Sequence, residues 1–291
     1  MSRPYAPISL FRPRPLTKLL LLVPLLVPLY AAEQQPIAPE IGQEGKDVPW
    51  VPTPDILVDT MLEMAAVSTG DVVIDLGSGD GRTVIAAARL GARAIGVELE
   101  ENLVAISKRR AEEEGLSGRT EFHAMDLFDF DLSPATVVTM FLLPDLNYRL
   151  RPNLLKLSPG TRIVSNTWDL SGAEGDPDAP GWLPDETVVL DPCPTWCTSL
   201  LWTVPARVEG TWQFREGEME LELEQQFQVV TGRWHFGNGS TAIEQGFLQG
   251  TKLTFLADGT QYSGTVSGST ISGTARRAEG NSVNWQATQL R

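Results

Sequence analysis

The 291-residue chain has only two Cys and two His, too few for a four-ligand zinc site of the usual kind. Basic residues are also scarce. Against 37 Asp and Glu stand 23 Lys and Arg, which gives a net charge of −14. A surface of that sign repels phosphate backbones. The composition therefore predicts neither a metal site nor a nucleic-acid partner, whereas its 42% hydrophobic content is that of a folded globular protein.

An apolar run long enough to span a membrane is missing as well. The apolar run 19–30 is short and is followed by Ala31-Ala32, and residues 1–32 carry basic but no acidic side chains. This arrangement is typical of a secretory signal peptide. As a helix the run would cover ~18 Å of a ~30 Å hydrocarbon core, so we expect no stable membrane span. Export to the periplasm or the exterior is predicted, with a membrane-anchored or a cytoplasmic protein as alternatives. Polar residues 33–50 are predicted to be a linker.

Residues 51–206 alternate between helical and strand patterns. A helix is expected to begin at Thr53-Pro54-Asp55, because a capping residue precedes Pro at the first helical position. The strands are expected at 71–76, 92–99, 120–125, 136–143, 161–165, 187–190 and 199–204, and further helices at 82–90, 101–115 and 146–157. Such alternation predicts an α/β fold, a Rossmann-like sheet of seven strands that ends in an antiparallel hairpin.

Two features follow that domain core. Cys193 and Cys197 lie in the turn of the predicted hairpin, where either a small-loop disulfide or two unpaired thiols packed as hydrophobes would fit. Residues 207–291 show period-two alternation punctuated by glycine, which predicts a small all-β meander or barrel domain. Its Trp212, Trp234 and Trp285 are expected to pack in the core, with a ligand cavity as the alternative.

The chemistry is carried by the stretch Asp75-Leu-Gly-Ser-Gly-Asp-Gly81, where a buried strand ends at an acidic residue and a glycine-rich turn opens a helix. Gly77, Gly79 and Gly81 let the backbone turn sharply and approach a ligand closely. Glu98 lies at the end of the next predicted strand. A carboxylate there can accept hydrogen bonds from both hydroxyls of a ribose.

The nature of the nucleotide follows from charge. A dinucleotide site would need glycine where Arg82 stands, and Asp75 and Asp80 beside the turn would repel a diphosphate and suit a cation. S-adenosyl-L-methionine is an adenosine with a sulfonium and an ammonium and no phosphate, so it is the predicted cofactor. Asp126 follows the third strand, where it could accept from the adenine amino group or serve as a helix cap or loop residue.

Six stretches together resemble class I methyltransferases, and more narrowly the protein-lysine methyltransferase family of the mitochondrial ATP synthase c-subunit enzyme and broad-specificity archaeal enzymes. They are residues 47–54, 75–82, 96–99, 135–144, 147–153 and 159–165. The resemblance implies the seven-stranded methyltransferase fold and cofactor contacts at Asp75, Gly77, Gly79, Glu98 and Asp126. It also implies that Thr53 lies near the methionyl end of the cofactor.

The acceptor site should lie at the carboxyl end of the fourth strand, where open α/β sheets bind ligands. The Asn/Asp-Pro-Pro-aromatic sequence of enzymes that methylate adenine or glutamine nitrogen is absent there. Candidate catalytic or pocket residues are Phe141, Asn147, Asn166 and Trp168, although Phe141 could be buried core and Trp168 a loop anchor. His123 is expected to be a core residue, so no general base is predicted.

The predicted function is methyl transfer from S-adenosyl-L-methionine, most directly to a protein lysine amine. A small-molecule methyltransferase, or an exported non-catalytic protein that binds an apolar ligand, stays as an alternative.

Overall fold

The computed structural model describes Met1 and residues 50–172, 181–193, 195–215, 217, 219–277 and 280–290. The predicted signal peptide, apart from Met1, and all but the last residue of the predicted linker lie outside the described residues. The chain divides into two units, Met1–Gln35 and Pro36–Arg291, and every element below belongs to the second. Within the described ranges, no helix is both long enough and apolar enough to cross a membrane.

The first part of this unit is a seven-stranded sheet with four helices. In chain order its elements are α1 (Asp55–Met64), β1 (Val72–Leu76), α2 (Arg82–Arg89), β2 (Arg93–Glu98), α3 (Glu101–Glu113), β3 (Thr120–Ala124), β4 (Val137–Met140), α4 (Pro144–Leu154), β5 (Arg162–Asn166), β6 (Glu186–Val189) and β7 (Thr198–Thr203). The strand order is β3-β2-β1-β4-β5-β7-β6. Strands β1 to β5 run parallel, and β7 and β6 are antiparallel. The predicted fold class is confirmed.

Both faces of the sheet are covered. Val73 and Ile74 are adjacent in β1 and are both fully buried. The side chain of Val73 packs in the cluster formed with α1 and α2, and that of Ile74 packs in the cluster formed with α4. Successive side chains of a strand point to opposite faces. Burial on both sides therefore explains why the central strands are continuous apolar runs rather than alternating ones.

The fourth strand is shorter than predicted: it ends at Met140 rather than at residue 143. Pro144 is the first residue of α4, and proline cannot donate to a strand ladder but suits the first turn of a helix. Residues 141–143 therefore leave the sheet as a short connection, which places Phe141 beyond the carboxyl end of β4.

The second part is a closed antiparallel barrel that begins at residue 210. Its strands are β8 (Gly210–Phe214), β9 (Met219–Gln226), β10 (Val229–Phe236), β11 (Gly239–Ala242), β12 (Glu244–Gln249), β13 (Lys252–Ala257), β14 (Thr260–Ser267), β15 (Thr270–Arg277) and β16 (Ser282–Gln289). β11 and β12 follow one another along β10, and β16 pairs with β8 to close the barrel. The predicted all-β domain is confirmed.

Aromatic side chains fill the barrel. Trp212 is fully buried and Trp285 nearly so, while Trp234 is partly buried and packs against the same cluster. The rings of Phe255 and Tyr262 stack with centroids 4.7 Å apart. These three tryptophans therefore pack in the core, as a small barrel needs when side chains fill its interior.

The barrel is anchored to the first sheet by specific contacts. The Phe227 ring stacks on Trp182 with centroids 5.9 Å apart, and the Arg151 guanidinium of α4 lies 5.4 Å from the Phe227 ring centroid. The side chain of Gln228 donates to the Leu183 carbonyl at 2.7 Å. The barrel therefore contacts the segment that leads into β6.

Candidate active site

The turn between β1 and α2 depends on three glycines in the left-handed region: Gly77, Gly79 and Gly81 have φ angles of +73°, +54° and +79°. Side chains would be strained there. A Cβ on Gly79 would also lie 2.6 Å from Nε1 of Trp50, and one on Gly81 would lie 2.7 Å from Ser107. The absence of a side chain on Gly79 and Gly81 therefore lets the Trp50 ring and Ser107 pack directly against the backbone of the turn.

Glu98 is the last residue of β2 and its carboxylate joins two segments. Its Oε2 accepts from the Gly79 amide at 2.9 Å and its Oε1 accepts from the Glu100 amide at 3.0 Å. Each carboxylate oxygen has two acceptor sites, so each keeps one for a further donor. A pair of vicinal ribose hydroxyls supplies two such donors, and the position of Glu98 fits the predicted role.

Asp75 is buried at the centre of this edge. Burial raises its pKa to about 7, and the neighbouring charges of Glu98 and Asp80 add to that effect. The hydroxyl of Thr139 opposes the rise by donating to Oδ1 at 2.6 Å. A nearby cation would stabilise the ionised form of this carboxyl group and so lower its pKa.

Asp80 is held by two arginines. Its carboxylate pairs with Arg82 at 2.8 Å and with Arg110, from α3, at 2.6 Å. Burial alone would raise the pKa of Asp80, but these arginines hold it below its usual value. Asp80 also lines the small cavity at this turn, so the expectation that its negative charge suits a cationic ligand stays a prediction. Its two arginine partners show that it also fixes the turn.

The glycine turn, Asp75 and Asp80 border a small cavity at the carboxyl edge of the sheet. Four of the predicted cofactor residues line it, namely Thr53, Asp75, Gly77 and Gly79, together with Phe141 from the predicted acceptor set. Trp50, Arg82 and Met140 also line the cavity, although none of them is predicted to be a site residue. Trp50 and Arg82 do lie in two of the stretches that carry the family resemblance, 47–54 and 75–82.

The other three predicted cofactor residues do not line this cavity. Glu98 lies beside it, bonded to the Gly79 amide, and Gly81 faces Ser107 and Phe122, behind the turn. Asp126 is exposed, and its Oδ1 accepts from the Phe128 amide at 2.9 Å, which corresponds to the alternative of a loop residue. Cofactor contact at these three positions stays a prediction.

The predicted acceptor residues fall into two kinds. Phe141 and Trp168 are half-buried at the carboxyl ends of β4 and β5, whereas Asn147 and Asn166 are fully buried. The Asn147 amide donates to the carbonyls of Trp168 and Asp169 at 3.0 and 3.1 Å. That of Asn166 donates to the Thr53 hydroxyl at 3.3 Å. Asn147 therefore holds the segment that carries Trp168, whereas Asn166 joins the end of β5 to the segment before α1. The catalytic role of both asparagines stays a prediction.

His123 is not a core residue, contrary to expectation. Its side chain is about two-fifths exposed, and Nε2 lies 3.7 Å from the Glu121 carboxylate. Position in β3, at the border of the sheet, explains this exposure. Among the residues that the structure describes, no three His, Cys, Asp or Glu side chains gather where they could hold a metal ion.

A larger depression lies at the opposite, amino edge of the sheet, lined by residues that include Asp71 and Glu121. Its arginines are already engaged: Arg93 pairs with Glu121 at 2.8 Å and Arg119 donates to the Gly91 carbonyl at 2.8 Å. Ligands of open α/β sheets bind at the carboxyl edge, where the strand order reverses between β1 and β4. We therefore place the site at the glycine turn and not in the larger depression.

A seven-stranded sheet with a reversed last hairpin, a glycine turn after β1 and a carboxylate at the end of β2 together define a class I S-adenosyl-L-methionine-dependent methyltransferase. Residues 75–177 match the family model described as the ANTKMT methyltransferase domain. The chain is 42% identical over 147 residues to a protein-lysine N-methyltransferase of Saccharolobus islandicus (strain REY15A), covering 50% of this chain and 86% of that protein. The chain belongs to this protein-lysine N-methyltransferase family, and S-adenosyl-L-methionine is its cofactor.

Two further relatives cover a similar share of the chain. The ATP synthase c-subunit lysine N-methyltransferase of Rattus norvegicus is 34% identical over 163 residues, 56% of this chain and 70% of that protein. A solved structure, titled as an RNA methyltransferase from Salinibacter ruber with S-adenosyl-L-homocysteine, is 46% identical. It covers 54% of this chain and 96% of that one, with a TM-score of 0.49.

Replacing Glu98 by Ala should raise the Kd for S-adenosyl-L-methionine at least tenfold. Each charge-assisted hydrogen bond to the carboxylate is worth about 1.5–3 kcal/mol, and Glu98 also holds the Gly79 amide. Isothermal titration calorimetry measures the Kd. Glu112→Ala, which removes an exposed carboxylate from α3, is the matched control and should bind as the wild type does. Equal affinities of the two variants would refute the role of Glu98.

The affinity for the cofactor should fall as the pH is lowered through 7. Asp75, with its pKa raised to about 7, is mostly protonated at pH 6, and binding of a cation requires the ionised form. The Kd at pH 6 should therefore exceed that at pH 7.5 by roughly five- to tenfold. Calorimetry in two buffers of different ionisation enthalpy should detect proton release on binding. Asp75→Asn should remove both effects, and a pH-independent wild-type Kd would contradict this assignment.

Proposed function

We propose that this protein transfers the methyl group of S-adenosyl-L-methionine to the amine of a lysine side chain in a protein. The observation that carries the proposal is the match, over about half of the chain, to lysine-modifying relatives. The cleft agrees with that acceptor, because Phe141 continues the lining of the cofactor cavity with an apolar surface. The relatives point first to a protein as the acceptor and, more narrowly, to its lysine amine.

The reaction is an in-line displacement, for which the cofactor supplies a methyl group activated by a positive sulfur. The lone pair of the lysine nitrogen forms the new N–C bond while the C–S bond breaks, and its electron pair stays on sulfur. The glycine turn, Glu98 and Asp75 hold the donor end of the cleft. Alignment of two reactants in this way can supply ~7–11 kcal/mol.

The amine must be neutral before it reacts. With a pKa near 10.4, the neutral form at pH 7.4 costs about 4 kcal/mol. Phe141 and Trp168 offer an apolar surface that would remove water from the amine, and desolvation lowers the pKa of a lysine. No described histidine lies near them to act as a base, since His123 belongs to β3 and His235 to the barrel. The released proton would therefore leave to solvent.

The acceptor class can be tested by incubating the purified protein with cofactor labelled in its methyl group and a cell lysate. After separation into protein, RNA and small-molecule fractions, we expect the label in protein, and acid hydrolysis should release it as methylated lysine. Glu98→Ala should lower the incorporation, whereas Glu112→Ala should not. Label confined to RNA or to small molecules would overturn the proposed acceptor.

We also propose that the protein is exported by its N-terminal segment 1–32. The charge pattern of that segment supports this, and so does the disulfide between Cys193 and Cys197, since such bonds persist mainly in oxidising compartments. N-terminal sequencing of the mature chain should find a start close to residue 33 in the exported fraction. A mature chain that begins at Met1 in the cytoplasmic fraction would contradict export. An exported enzyme would require cofactor delivered from the cytoplasm.

A further inference from the structure

Three aromatic side chains from three different elements meet at the carboxyl edge of the sheet. Phe141 follows β4, Trp168 follows β5, and Trp196 lies in the turn between β6 and β7. The ring centroids of Trp168 and Trp196 are 5.6 Å apart and those of Phe141 and Trp196 are 6.4 Å apart, with tilted planes. We call these three residues the aromatic wall. Trp196 is its central member, because it contacts both of the others.

The aromatic wall begins where the cofactor cavity ends. Phe141 lines that cavity together with Asp75 and the glycine turn. Trp168 is fixed from behind, since its carbonyl accepts from the Asn147 amide at 3.0 Å and from the Ser165 hydroxyl at 2.6 Å. A chain that reaches the cofactor from solvent along these rings would therefore pass Trp196.

Trp196 is held in an unusual state for a tryptophan. Its φ of +57° lies in the left-handed region, which costs energy for a bulky side chain, and its side chain is 42% exposed. A tryptophan that served only to pack the core would be expected to be more fully buried. Strained backbone and an exposed ring together point to a surface that is meant to be covered by a ligand.

The turn that carries Trp196 is closed covalently. The disulfide links Cys193 to Cys197, and Cys197 is buried next to the first residue of β7. Across the hairpin, the Leu190 amide donates to the Cys197 carbonyl at 3.0 Å. The turn is thus anchored to the sheet at Cys197, directly after Trp196, so the disulfide restricts where the ring can lie.

We propose that Trp196 binds the acceptor and determines its specificity, and that the Cys193–Cys197 disulfide holds it in the aromatic wall. This inference rests on the proposed lysine acceptor. A lysine side chain is an apolar four-carbon stem that ends in an amine, and aromatic faces bind both parts, the stem by apolar contact and the ammonium by cation–π attraction. The aromatic wall therefore guides the stem while the amine reaches the cofactor cavity.

Binding can be observed directly by fluorine NMR on the full chain, with its eight tryptophans replaced by 5-fluorotryptophan. The Trp196→Phe variant assigns the Trp196 resonance. With S-adenosyl-L-homocysteine bound, titration with Nα-acetyl-lysine amide should shift that resonance, and Nα-acetyl-norleucine amide, which lacks the amine, should shift it less. An unmoved Trp196 resonance, or equal shifts with both amides, would overturn the inference.

The kinetic counterpart compares Trp196→Ala with Phe236→Ala on the protein fraction that accepts label. Phe236 is 39% exposed in the barrel strand β10, so it is a matched aromatic control. Trp196→Ala should raise the KM for the acceptor at least fivefold, change kcat less than twofold and leave the cofactor Kd unchanged. Phe236→Ala should change none of these, and Trp196→Phe should restore most of the affinity. An unchanged KM in Trp196→Ala would refute the proposal.

The disulfide is tested with Cys193→Ser combined with Cys197→Ser. This variant should shift the KM in the same direction as Trp196→Ala but less far, and should weaken the lysine-amide shift of the Trp196 resonance. A wild-type KM in this variant would refute the role of the disulfide. The NMR titration measures binding and not methyl transfer. It therefore tests whether Trp196 binds a lysine side chain independently of the labelling experiment, which tests the proposed acceptor.

Discussion

The hydrogen bond from the Gly79 amide to the Glu98 carboxylate is the constraint on which the cofactor half of the site depends. It joins the turn after β1 to the end of β2 at 2.9 Å and requires a left-handed backbone that only glycine adopts readily. Asp80 strengthens the same turn from outside through two arginines. With the turn fixed in this way, Asp75 stays buried beside it, and its raised pKa follows from that burial. The predicted recognition of the cofactor's charge by Asp75 is thus a consequence of backbone geometry.

The proposed acceptor half is built on a different principle. Its rings stand on connections, not on strands, and the fully buried Asn147 holds the connection that carries Trp168. Asn147 binds two carbonyls of the segment after β5, and Asn166 binds Thr53 from the segment before α1. Asn147 thus satisfies two backbone carbonyls behind the proposed acceptor cleft. Asn166 joins the end of β5 to Thr53, which lines the cofactor cavity.

Local patterns predict most of the first sheet and the cofactor half. A buried strand, a glycine turn and a carboxylate at the next strand end lie close together in sequence, and their geometry follows from the parallel sheet. The end of β4 is mispredicted because the apolar run continues to residue 143, whereas the chain leaves the sheet after Met140 to begin α4 at Pro144. Arg110 and Trp196 cannot be assigned in this way, since each meets its partners only when separate elements of the chain pack together. Periodicity describes single elements and carries no information about such contacts.

The barrel contacts residues that support the proposed acceptor half of the site. Phe227 stacks on Trp182 and receives the Arg151 guanidinium, while Arg151 also donates to the Leu170 carbonyl, close to Trp168. Trp202 in β7 donates to the Trp182 carbonyl at 2.8 Å, and β7 begins directly after Cys197. The barrel therefore packs against the supports of both the Trp168 and the Trp196 segments. Its contribution to methyl transfer would be to hold the acceptor side rigid, whereas the glycine turn is held by β2 and α3 of the first sheet.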